Sequence, residues 1–167
     1  MLKKSVCFSV FVILLTFKLY ADIQWSSPEK ISGKGDLFDQ HLLLNNSGVG
    51  MSTWLEISSD GNTMSLNYSV YNQGNWSDPK PITSMTAATC HSLAIDQTDK
   101  AVITWGSSDI LHTCIMASFY DGNSWSEPYE LAIDSSNALS PPKVVMNDSG
   151  KALIGWGSQE GRLSVSF

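Results

Sequence analysis

Ala101-Val102-Ile103-Thr104-Trp105-Gly106 decides the fold, because it recurs as Ala152-Leu153-Ile154-Gly155-Trp156-Gly157 and, more loosely, as Gly50-Met51-Ser52-Thr53-Trp54. The three tryptophans stand 51 residues apart, twice. A turn precedes each stretch, at Asn45 to Gly48, Asp96 to Asp99 and Asn147 to Gly150, and a Trp-Ser-x-Pro lies further upstream at Trp25, Trp76 and Trp125. A repeat of this period marks an architecture made by stacking one supersecondary unit.

Working outward, each unit reads as four short strands. In the first they are Glu29 to Ser32, Leu42 to Leu44, the Trp54 strand and Met64 to Tyr71. The second has Lys80 to Thr83, His91 to Ile95, Ala101 to Trp105 and Cys114 to Tyr120; the third has Tyr129 to Ala132, Lys143 to Met146, Ala152 to Trp156 and Leu163 to Phe167. Tight Asn/Asp/Gly turns join neighbours in sequence, which makes antiparallel meanders. The Trp105 and Trp156 strands are apolar on both faces apart from Thr104 and Gly155, as suits a strand covered on both sides. The expected fold is all-β, three four-stranded antiparallel blades of β-propeller type forming an incomplete propeller. The blades are expected at about 22–74, 75–123 and 124–167. A β-sandwich of the same hairpins is the alternative, but it has no reason to repeat its tryptophans at a fixed period.

Met1-Leu2-Lys3-Lys4, the apolar run Val6 to Phe17 and the exit at Ala21 read as a secretory signal peptide over 1–21, too short to span a bilayer. An exported chain, periplasmic, secreted or on the cell surface, is expected. Without Lys3, Lys4 and Lys18 the chain keeps 7 basic residues against 16 acidic, a formal charge of −9. That sign argues against nucleic acid and anionic membrane surfaces as partners. Cys90 and Cys114 fall on strands separated by a third, roughly 9.5 Å apart, where a disulfide needs less than about 7 Å. Two unbridged thiols are expected.

The Trp-Ser-x-Pro motifs, preceded by Asn72-Gln73-Gly74-Asn75 and Asp121-Gly122-Asn123-Ser124, resemble the repeats of secreted bacterial β-propellers and, more distantly, the Asp-box hairpins of sialidase-like families. Ser118, Asp121, Gly122 and Trp125 match Asp-box residue types at a different spacing. The resemblance implies the fold over the whole mature chain. Its glycosidase chemistry would need three carboxylate-clamping arginines, and this chain has Arg162 alone.

No Gly-x-Ser-x-Gly elbow is present, and His41, His91 and His112 occupy non-equivalent places in the repeat. Cys90-His91 and His112-Thr113-Cys114 have zinc-ligand residue types, yet strand alternation sends Cys90 and His91 to opposite faces. No metal and no cofactor is therefore expected. Glu56, Asp109 and Glu160 are placed in loops just after the three tryptophan strands. Trp54, Trp105 and Trp156 with these three acids are the candidate ligand-binding residues, since an indole face stacks on a pyranose. Against that stands the reading of the tryptophans as interblade core. The functional expectation is a non-enzymatic binding or interaction protein with glycan or protein partners. The alternative is an inactive fragment of a larger propeller enzyme such as a sialidase-like glycoside hydrolase. Three blades make an arc, whereas propellers close with about four to eight, so a homodimer forming a six-bladed ring is expected as well.

Overall fold

The computed structural model describes residues 26–32, 35–85, 87–108, 112–134, 140–157 and 163–166. The signal-peptide reading and Trp25 lie outside them. Every regular element described is a strand, and all pairings are antiparallel. In the first sheet β1 (Asp36–Leu44), β2 (Gly50–Ile57) and β3 (Met64–Asn72) form a meander, and the two-residue β4 (Asn75–Trp76) and β5 (Lys80–Met85) both return onto β3. The second sheet runs β6 (Ala88–Ile95), β7 (Ala101–Ser108), β8 (Thr113–Tyr120), β9 (Tyr129–Asp134). The third runs β10 (Lys143–Met146), β11 (Ala152–Gly157), β12 (Leu163–Ser166). The first strands β1, β6 and β10 lie against one another in that order, so the sheets fan out as successive blades of an incomplete propeller.

The strand following each Trp-Ser-x-Pro closes the blade before it instead of opening the next. β5 pairs with β3, and β9 pairs with β8. The expected boundaries at 22–74, 75–123 and 124–167 are thus one strand out of phase: the blades run 36–85, 88–134 and from 143 onward. Glu29 to Ser32, expected as a first strand, is not in a strand. The reason is local hydrogen bonding. At Gln73-Gly74 the φ values of 50° and 87° make the tight reversal that turns β3 back on itself. Ser69 Oγ donates to Ser77 O at 2.7 Å and Val70 N donates to Ser77 Oγ at 3.0 Å. Ser118, Ser126 and Phe119 repeat the pair at 2.8 and 3.1 Å. The motif serine thereby ties the returning chain to the strand it has just left.

A second repeated device sits at the turn between the first two strands of each blade. Asn45, Asp96 and Asn147 each accept a backbone N–H four residues on, from Val49, Lys100 and Lys151, all at 3.0 Å. The same oxygens accept the hydroxyls of Ser47, Thr98 and Ser149 at 2.7, 2.9 and 2.8 Å. These are side-chain imitations of a backbone turn, which is why Asn and Asp hold the position. Burial works against the Asp96 carboxylate, but the donors from Lys100 and Thr98 outweigh it and hold its pKa below the usual value.

Between blades the packing follows strand alternation. Ala101, Ile103 and Trp105 of β7 join Met51, Leu55, Leu66 and Tyr68 in the seam with the first blade. Val102 points the other way and joins Ile115, Ala117, Ile154 and Trp156 in the seam with the third. Thus β7 is covered on both faces. Trp125 adds an aromatic cluster, its ring 5.3 Å from Tyr120 of its own blade and 5.8 Å from Tyr68 of the preceding one. Trp105→Ala should therefore cost about 3–5 kcal/mol, the range for emptying a buried aromatic site. Urea unfolding measures it.

Candidate functional site

Of the ligand-binding residues expected from sequence, Trp54, Trp105, Trp156 and Glu56 are among the described residues, and of these Trp54 and Glu56 are in contact. Trp54, Trp105 and Trp156 are all buried, so their rings are seam and sheet core rather than platforms open to a sugar. Glu56 lies within β2 instead of in a loop after it, because the pairing to β3 continues to Ile57↔Met64. Its carboxylate accepts Gly35 N at 2.9 Å, Trp54 Nε1 at 3.3 Å and Asn67 Nδ2 at 3.4 Å. Glu56 thus spends its oxygens on local structure. Asp109 and Glu160 lie outside the described residues. Cys90 and Cys114 are not bridged, and β7 stands between their strands.

The chemistry collects elsewhere, at the seam of the first two blades. β1 slips register between Phe38 and His41. At that bulge Asp39 takes a left-handed φ of 49°, which a non-glycine residue adopts only when its surroundings hold it there. A bulge re-aims side chains, and here Asp39 reaches across the seam. Its Oδ2 accepts the backbone N–H of His91 at 2.5 Å and lies 2.9 Å from His91 Nδ1. The second contact is close but off the line of a hydrogen bond, so Nδ1 is left without one. His91 Nε2 pairs with Thr53 Oγ1 at 2.8 Å. His41 Nε2 is 3.6 Å from Asp39 Oδ1, and the two imidazole rings meet edge to face with centroids 4.4 Å apart.

His91 is fully buried, while Asp39 and His41 are each a little over one-quarter exposed. One ligating atom from each of Asp39, His41 and His91 lies within 4.8 Å of the others. Aspartate, histidine and a hydroxyl in line resemble a nucleophile relay, but Thr53 is 0% exposed, which leaves no place for a substrate to be attacked. What the arrangement offers is a set of ligating atoms. By residue type, the sequence groups His91 with Cys90 and with His112-Thr113-Cys114, on its own sheet. The signal for the true partners lay in the repeat: 51 positions along, Asp39 gives way to Cys90, His41 to Ser92 and His91 to Pro142.

Burial, reinforced by the neighbouring His41, pushes the His91 pKa down to about 4, against the opposing pull of Asp39. In the unfolded chain this imidazole titrates near its ordinary value of about 6.5. Between these values the unfolded state binds a proton that the folded state refuses. Stability attributable to His91 is therefore full above pH 6.5 or so and is lost as pH falls toward about 4, by roughly 3 kcal/mol in all. Chemical denaturation at about pH 7 and pH 5 should show a larger loss for the native chain than for His91→Gln, which has no such proton to refuse. Equal losses would place the acid sensitivity elsewhere.

No family model and no curated protein sequence matches the chain. Among solved structures it is similar to the endo-arabinase of Bacteroides thetaiotaomicron VPI-5482, with a TM-score of 0.54 and 11% sequence identity over 83% of this chain. The chain spans 58% of the length of that enzyme. At this identity the likeness concerns the fold, and it agrees with blades of an incomplete propeller.

Proposed function

We propose that the chain is an exported, non-enzymatic binding and interaction protein: a propeller arc that mates with a second copy of itself and has glycan as its ligand class. One observation carries the interaction half. The face that each blade turns toward its successor is buried in the first two blades and bare in the third. Met51 and Val102 are 1% and 8% exposed, whereas their equivalent Leu153 is 43% exposed; Val145, equivalent to the buried Ala94, is 62% exposed. On the face turned toward the preceding blade, Leu42 of the first blade is bare although Trp54 is buried. Leu42 is 67% exposed where its equivalents Leu93 and Val144 are each 6%.

By the repeat, the bare face at one end is shaped for the bare face at the other. Head-to-tail contact of two arcs would bury both and close on itself with twofold symmetry. Apolar rows of this kind are seldom left open to water. Ser26–Ser32 fits the same scheme, since Trp25-Ser26-Ser27-Pro28 corresponds to the motif that leads into β5 and β9, and its strand would be due beside the partner's β12. Glycan as ligand class rests on the likeness to an endo-arabinase and would be tested with an array that includes arabino-oligosaccharides.

The second reading is a piece of a larger propeller enzyme, inactive alone, in which further blades of one chain cover these faces. Light scattering on the mature chain separates the two. The expected result is a dimer near twice the chain mass, dissociating in Leu153→Asp. A well-behaved monomer would contradict the mating arc, and polydisperse aggregate would favour the fragment.

A further inference from the structure

We infer that Asp39, His41 and His91 form a binding site for one divalent transition ion of the zinc class. Four independent features of the seam lead there. First, the donor set is two imidazoles and one carboxylate, the mixture of nitrogen and oxygen that suits zinc and its neighbours and not calcium or magnesium, which take oxygen alone. Their ligating atoms lie within 4.8 Å of one another, so one ion can touch all three after small side-chain adjustments.

Second, His91 Nδ1 is buried and lacks a hydrogen bond, although the Asp39 carboxylate is 2.9 Å away. A buried nitrogen whose polar neighbour is out of line is held less well than one in a straight hydrogen bond, and its lone pair is open to a ligand. With Nδ1 given to the ion, Nε2 keeps its proton and donates to Thr53 Oγ1, the outer hydrogen bond that commonly fixes a ligating imidazole. Third, the strained φ at Asp39 serves no turn. It lies inside a strand, at the bulge that carries the carboxylate to His91.

Fourth, the second seam joins its two blades without residues of this kind. At the second seam Pro142 stands where His91 stands at the first, and Ser92 where His41 does; there Ser92 Oγ simply accepts Val144 N at 3.2 Å. A departure from the repeat that collects ligating groups, where a proline and a serine suffice for packing, is the mark of a site and not of a joint. Three protein ligands on a partly open edge leave coordination positions for water or an oxygen-bearing ligand.

The test is calorimetric titration of zinc chloride into the chelator-treated mature chain, using native protein, Asp39→Asn, His41→Gln and the double variant Cys90→Ser/Cys114→Ser. Asp39 and His41 are partly exposed, and a thermal melt without metal verifies that their variants are folded. The expected result is one zinc per chain, bound at least tenfold more weakly by Asp39→Asn and by His41→Gln and unchanged in the cysteine variant, with a zinc-induced rise in melting temperature for native protein and the cysteine variant that shrinks in the two seam variants. If Asp39→Asn does not fold, His41→Gln decides by itself. No saturable binding by the native chain would overturn the site, as would undiminished binding by the two seam variants or loss confined to the cysteine variant.

Discussion

Everything in this molecule depends on one contact repeated along the chain: the face of one sheet closing on the back of the next. A single sheet of short strands has an apolar row on each side and cannot bury either one alone. Stacking buries them in pairs, with Met51 and Leu55 meeting Ile103 and Trp105, and Val102 meeting Ile154 and Trp156. The tryptophan period follows from that requirement. Trp105 and Trp156 fill the equivalent gap in the two seams, and displacing either would leave a void there.

Polar groups set the height at which the blades meet. The Asn45 side chain, besides organising its own turn, donates through Nδ2 to Asp96 O at 3.0 Å and to Asp99 Oδ1 at 2.7 Å on the neighbouring blade. Asp99 has a φ of 64° where the equivalent positions, Gly48 and Gly150, are glycines, so the bond across the seam supports an aspartate in a conformation that glycine takes freely. Asn46 N adds a bond to Gln97 Oε1 at 2.9 Å. Apolar faces alone would allow sliding; these bonds fix the register between sheets.

The blade architecture was legible in the sequence because two periodicities agreed, alternation within a strand and the 51-residue repeat between strands. Blade phase was not legible. Trp-Ser-x-Pro reads equally well as the opening of a blade or the return that closes one, and the choice is made by hydroxyl bonds from Ser69 and Ser118 that connect residues eight apart. The tryptophans were visible as a set, but whether a ring is platform or core depends on what the neighbouring blade covers. The Asp39 cluster was hidden for a different reason. Alternation sets Cys90 and His91 on opposite faces, but it carries no information about a bulge on another sheet, and the bulge is what brings the carboxylate across. Only the positions where the repeat fails pointed to it.

Because β7 is packed on both faces, opening it means opening both seams. Amide hydrogen exchange, resolved by residue, measures that directly. The amides of Ala101–Ser108 should be the most protected in the chain, exchanging only through global unfolding, with β1 and β10 exchanging faster through local opening. Exchange of Ala101–Ser108 as fast as that of Asp36–Leu44 would contradict a fold held together by its seams.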